Sequence, residues 1–123
     1  MKEILRKHHI SFKNAFSGIF WAIQTQPNFR VHIILSVFAI AAGLYLRITQ
    51  VELSIIVFTI VLGLTAEMIN TSIESMTDLI TKEWRAQAKI AKDVSAGMML
   101  TVAIGAVVVA VTIYLPYIRR LLS

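Results

Sequence analysis

Residues 53–80 read LSIIVFTIVLGLTAEMINTSIESMTDLI, and the fold is decided by how this stretch meets a membrane. From Leu53 through Ala66 it carries no charge. A helix rises about 1.5 Å per residue and a hydrocarbon core is about 30 Å thick, so about 20 residues are needed to cross. The uncharged part is too short alone. To cross, the helix must continue through Glu67, Asn70, Thr71 and Ile73, which carries at least one carboxylate into the bilayer. At about 100° per residue, Glu67, Asn70, Thr71, Glu74 and Asp78 share one face about 100° wide, while Met68, Ile69, Ile73 and Met76 mostly point elsewhere. With Leu53 at the outer boundary, Glu67 lies roughly 9 Å inside the inner one, and Glu74 falls near the cytoplasmic surface. Acids inside a membrane are expensive and mark functional sites. Asn and Thr alone would read as polar glue between helices. Three acids in one stripe do not, because no span carries a Lys or Arg in its middle to neutralise them. A metal ion is the economical cation. Glu67 is placed to take a proton from a hydroxyl held at headgroup level, and Glu74 to hold a divalent cation against phosphates.

Two further apolar runs flank this one. The first goes from Val31 to Leu46 and is closed by Arg47; the third runs from Val94 to Ile118, with Pro116 near its end. Snorkelling basic residues extend the short first run. Before it, Phe12, Phe16, Ile19, Phe20 and Ile23 follow one helical face behind a basic start at Lys2, Arg6 and Lys7, the pattern of a helix lying on the headgroups. Gln26-Pro27-Asn28 turns the chain from that helix into the first span. The expected fold is all-α: an interfacial helix over 1–26, spans over 29–47, 52–80 and 93–118, and a cytoplasmic loop over 81–92, all in one membrane domain.

Composition agrees. The 123 residues are 57% hydrophobic and 15% charged, against about 45–50% and about 25% in soluble domains. The absence of cysteine excludes disulfide scaffolds, thiolate metal sites and cysteine catalysis. The net charge of +5 flanks the apolar runs, which favours lipid headgroups and a polyanionic substrate over nucleic acid. Basic residues gather before the first span and after the second, so the positive-inside rule places the N-terminus in the cytoplasm. The loop after the second span supplies a cluster of Glu83, Trp84, Arg85, Lys89, Lys92 and Asp93 beside the acidic stripe, a pairing suited to phosphates and metal. No Gly-rich phosphate loop is present, which excludes the familiar soluble nucleotide folds. His8, His9 and His32 show no metal-ligand spacing with the acids. Ser95, Ala96, Gly97 and Gly105 read as small residues that let helices pack closely.

Taken together, the motifs resemble the small bacterial diacylglycerol kinase and undecaprenol kinase family. The stretch Glu67-Met68-Ile69-Asn70-Thr71-Ser72-Ile73-Glu74 is similar to its E-x-x-N-(T/S)-A-I-E signature, and Ala88 through Gly97 to its A-K-x-A-K-D-x-x-A-G stretch. Ser11 through Ile19 is similar to the family's amphipathic helix, and Asn28-Phe29-Arg30-Val31-His32 to the start of its first span. The resemblance covers nearly the whole chain. It implies a homotrimer with active sites shared between subunits, in a bacterial inner membrane, using Mg²⁺ and ATP to phosphorylate a lipid alcohol. It implies Glu67 as catalytic base, Asn70 as its positioning neighbour and Glu74 as a metal ligand. Lys92, Asp93, Asp78, Glu83, Trp84, Arg85 and Asn14 are the implied nucleotide contacts, with Glu67 and Ala96 on the lipid side.

One position departs. Where the family usually carries a second metal-binding glutamate, this chain has Gln26, followed by Pro27. An amide oxygen can ligate magnesium but brings no charge, so weaker magnesium binding is expected. The Ile90-Ala91-Lys92-Asp93 context and the Asn28-x-Arg30-x-His32 start look more like the undecaprenol branch, with diacylglycerol the alternative acceptor. Two other classes stay open on the residues: an ion- or proton-conducting assembly lined by the acids, and a non-catalytic membrane relative of the kinases.

Overall fold

The computed structural model describes the backbone from Lys2 to Ser123 and side chains from His9 onward. The side chains of Lys2, Arg6, Lys7 and His8 therefore lie outside the described residues. The chain forms four helices, α1 (Lys2–Thr25), α2 (Pro27–Leu46), α3 (Gln50–Ile80) and α4 (Ala86–Leu122). The last three are long and apolar enough to cross a membrane.

Each junction has a local cause. Only Gln26 separates α1 from α2, in an extended conformation. Pro27 then takes the first position of α2, where its fixed φ suits the helix and its missing N–H costs nothing. At the other end of α2, Arg47 adopts the left-handed region (φ 54°), and its N–H and that of Ile48 close on Leu44 O and Gly43 O. The Ile48 side chain folds back over Gly43, so closely that a Cβ there would meet Ile48 Cδ1 at 2.9 Å. Glycine permits this reversal.

Thr49 then opens α3 with a capping box. Its hydroxyl accepts from Glu52 N at 3.3 Å, and Glu52 Oε2 accepts from Thr49 N at 2.8 Å. Two otherwise unpaired donors are thereby satisfied. Thr49→Ala is expected to lower stability by about 1 kcal/mol. An unchanged unfolding midpoint in an SDS titration of the detergent-solubilised protein would contradict this.

The main packing is α3 against α4, antiparallel, with α2 laid against both. Polar ties fix the register. At the capping-box end, Tyr117 Oη donates to Glu52 Oε2 at 2.6 Å, and Tyr114 Oη donates to Ala39 O of α2 at 2.7 Å. At the opposite end, Ser95 bonds Asn70 and Lys92 pairs with Asp78. About 39 Å of helix separates Glu52 from Asp78. The helices are thus pinned at both ends with an apolar middle between, and few side chains are sealed within the chain.

One expectation is corrected. The loop expected over 81–92 is confined to 81–85, because α4 begins at Ala86. Ala86-Gln87-Ala88-Lys89-Ile90-Ala91-Lys92 is built mostly of strong helix formers, and Lys89 pairs with Asp93 one turn on. Lys92 and Asp93 accordingly ride on a rigid helix. At 37 residues, or about 55 Å, α4 outruns the hydrocarbon and carries these charges beyond it.

Candidate active site

The carboxylate stripe faces helix neighbours. Glu67 is 3% exposed and Asn70 8%, both on the α3 face that packs on α4; Glu74 is half-buried and Asp78 exposed. Asn70 is bound on both sides. Its Nδ2 donates to Glu74 Oε1 at 3.1 Å, and its Oδ1 accepts from Ser95 Oγ of α4 at 2.6 Å. Glu67 makes no hydrogen bond or ion pair among the described residues. No side-chain oxygen there is both sealed from solvent and unpartnered, so the Glu67 carboxylate must reach a narrow opening. A carboxyl so placed is costly to a membrane helix and available to an incoming group.

Below it, Lys92 Nζ lies 2.5 Å from Asp78 Oδ1, with side chains 39% and 60% exposed. Pairs this exposed contribute about 0–1 kcal/mol, so this one does little for stability. Its consequence is positional: an ammonium is held at the end of the acidic stripe. Lys89 pairs with Asp93 on the exposed side of α4, and Arg85 Nη2 pairs with Glu83 Oε2 at 2.9 Å in the 81–85 turn. An open cavity of about 510 Å³ lies between the end of α3 and the start of α4, lined by Thr77, Thr81, Arg85, Gln87 and Ala88.

Glu67, Asn70, Glu74, Asp78 and Lys92 thus form one column, with Arg85 at the cavity beyond it. Other residues singled out in the sequence do not join this column. Trp84 is 78% exposed, and Ala96 points outward on α4. Asn14 is exposed on α1, and the Gln26 amide donates to Thr25 Oγ1 at 3.2 Å; among the described residues neither bonds any of the acids. Two participants were hidden from sequence reading. Ser95 looks like a small packing residue until its hydroxyl is seen on Asn70, and Thr77 looks apolar-adjacent until it lines the cavity.

The column couples a buried acid to a cationic, open end, which is the layout of a site joining a membrane-held group to an anionic soluble one. Comparison with known sequences decides the class: residues 13–114 match the family described as prokaryotic diacylglycerol kinase. The chain belongs to this family. A diacylglycerol kinase of Synechocystis is 36% identical over 114 residues, covering 92% of this chain and 65% of its own length, so the chain spans about two thirds of that relative. An undecaprenol kinase of Bacillus subtilis is 31% identical over 112 residues, 91% of either chain. A diacylglycerol kinase of Helicobacter pylori is 30% identical over 96 residues, 72% of this chain and 75% of its own. The chain is therefore a member of a lipid kinase family, and the family match encloses every residue of the column.

Among the described residues, no three acidic or histidine side chains lie close enough to hold a metal ion by themselves. What the column does offer is Glu74, half-buried, with Oε1 taken by Asn70 and Oε2 without a protein partner. Magnesium is commonly held through one or two carboxylates plus substrate phosphates, so this donor set fits a nucleotide-bridged ion.

Proposed function

We propose that the protein transfers the γ-phosphate of ATP to the hydroxyl of a membrane lipid alcohol, undecaprenol in the first place and diacylglycerol in the second. The observation that carries this is the buried, unpartnered Glu67 in line with Asn70 and Glu74 on α3, ending at Lys92 on α4.

The chemistry follows the column. A lipid hydroxyl reaches Glu67 from the bilayer, and Glu67 accepts its proton as the oxygen attacks the γ-phosphorus. The new O–P bond forms as the bond from the γ-phosphorus to the β–γ bridging oxygen breaks, and ADP leaves. Asn70 orients the acceptor beside Glu67. Lys92 neutralises charge on the phosphoryl oxygens, and Arg85 grips the nucleotide at the cavity. Glu74 would hold magnesium, which when bound would supply further charge neutralisation on the phosphates. About 10 Å of helix rise separates Glu67 from Glu74, so the proton and the metal are handled by different acids.

The same reading includes magnesium held also by Gln26, nucleotide contacts at Asp93, Asp78, Glu83, Trp84 and Asn14, and Ala96 on the lipid side. It includes a homotrimer with shared sites, in a bacterial inner membrane with the N-terminus cytoplasmic. Completion by a neighbour is consistent with the lack, among the described residues, of any polar bond between α1 and the acids. The undecaprenol preference is supported by the Ile90-Ala91-Lys92-Asp93 and Asn28-x-Arg30-x-His32 contexts and by a relative named undecaprenol kinase that matches along 91% of both chains.

Purified protein with labelled ATP, offered undecaprenol, diacylglycerol or no lipid, tests the proposal. Label moving faster to undecaprenol supports it as stated, and faster transfer to diacylglycerol reverses the acceptor order. Proton flux without transfer would replace it with a conducting assembly. Gln26→Glu adds a carboxylate at the α1–α2 junction and is expected to lower the magnesium concentration for half-maximal activity several-fold. Unchanged magnesium dependence and turnover would remove residue 26 from the metal site.

A further inference from the structure

We infer that Ser95 is a positioning residue for Asn70, fixing which way its amide faces. This rests on the lipid-kinase reading of the column. Ser95 is 3% exposed, and its hydroxyl lies 2.6 Å from Asn70 Oδ1 and 3.0 Å from Lys92 O. A hydroxyl has one hydrogen to give, so these two acceptors compete for it.

Glu74 settles the competition. The Asn70 group 3.1 Å from Glu74 Oε1 is the NH₂, which donates to that oxygen. The amide oxygen is then turned to Ser95, and the serine hydrogen must go to it. Were the amide reversed, its oxygen would face the Glu74 carboxylate with no hydrogen between them. Without the serine hydroxyl, the amide oxygen is left buried and unpaired, and little holds the amide plane except one bond to Glu74. The second NH₂ hydrogen of Asn70 has no protein partner among the described residues. It is the hydrogen available to an acceptor substrate, and its direction is set by a plane tied at both ends. Ser95 therefore acts on the reaction through Asn70, from α4, and couples the register of α4 to the geometry beside Glu67.

The test uses the full chain in detergent micelles with Mg-ATP and either undecaprenol or diacylglycerol. If the wild type transfers no phosphate to either, the lipid-kinase reading falls and this inference falls with it. With an active wild type, Ser95→Ala is expected to lower kcat about tenfold, the worth of one buried hydrogen bond, with KM for ATP within about twofold. Ser95→Thr and Ser95→Val separate the hydroxyl from bulk, because they have the same shape and only Thr keeps a donor. Ser95→Thr is expected to recover most of the kcat that Ser95→Val loses. A kcat for Ser95→Ala within about twofold of wild type would overturn the inference. So would equal losses in the Thr and Val variants, or a loss confined to KM, since each is what a packing role produces.

Discussion

Glu67→Gln is expected to lower kcat for lipid phosphorylation by about 10²–10⁴-fold, the range that a general base contributes. ATP affinity should stay within about twofold, because Lys92 and Arg85, the proposed phosphate contacts, lie further along, at the open end. The substitution is close to isosteric, and Glu67 has no hydrogen bond or ion pair among the described residues to lose. Replacing a buried acid by a neutral amide removes a costly group from a membrane helix, so a damaged fold is not the expected cause of any loss. A near-native kcat measured with labelled ATP at saturating lipid would take Glu67 out of the base role.

Lys92→Met is expected to lower kcat/KM by about 10²–10³-fold, the scale on which removing one preorganised donor from developing transition-state charge slows a reaction. The methionine keeps the length of the stem while removing the ammonium. Its ion pair with Asp78 is exposed, so breaking it should cost the fold about 0–1 kcal/mol. The loss should therefore appear in kinetics and leave the unfolding midpoint nearly in place. Isothermal titration with a non-hydrolysable ATP analogue checks the binding part. Unchanged nucleotide affinity together with unchanged turnover would leave Lys92 as an ordinary basic flank of a membrane helix.

Much of this site could be read before any coordinates, and the reason is the membrane. Glu67 was legible because the apolar run before it is too short to span, so the acid had to be carried in. Asn70, Glu74 and Asp78 followed from helical periodicity, and the helix indeed turns Glu67 and Asn70 inward while leaving Asp78 exposed. Lys89 and Lys92 misled the reading of secondary structure, because charge after a span looks like loop. Their neighbours Ala86, Gln87, Ala88 and Ala91 favour helix strongly enough to start α4 at once. The contact of Ser95 with Asn70 was illegible in the sequence. A serine among small residues looks like helix packing, and only the antiparallel register of α3 and α4 brings it to Asn70. The capping box at Thr49 and Glu52 has a clear sequence pattern, but its extension to Tyr117 depends on the same register.

In the proposed reaction the buried Glu67 takes the proton of a lipid hydroxyl while the γ-phosphoryl group passes directly from nucleotide to that oxygen. Single-turnover transfer of labelled γ-phosphate, followed in liposomes carrying a lipid alcohol, tests it most directly when wild type and Glu67→Gln are run side by side with ATP binding measured in both. Label in the lipid is expected for wild type, almost none for Glu67→Gln, with equal ATP binding by both. Label released only as inorganic phosphate by a wild type that binds ATP, or equal transfer by both proteins, would contradict it.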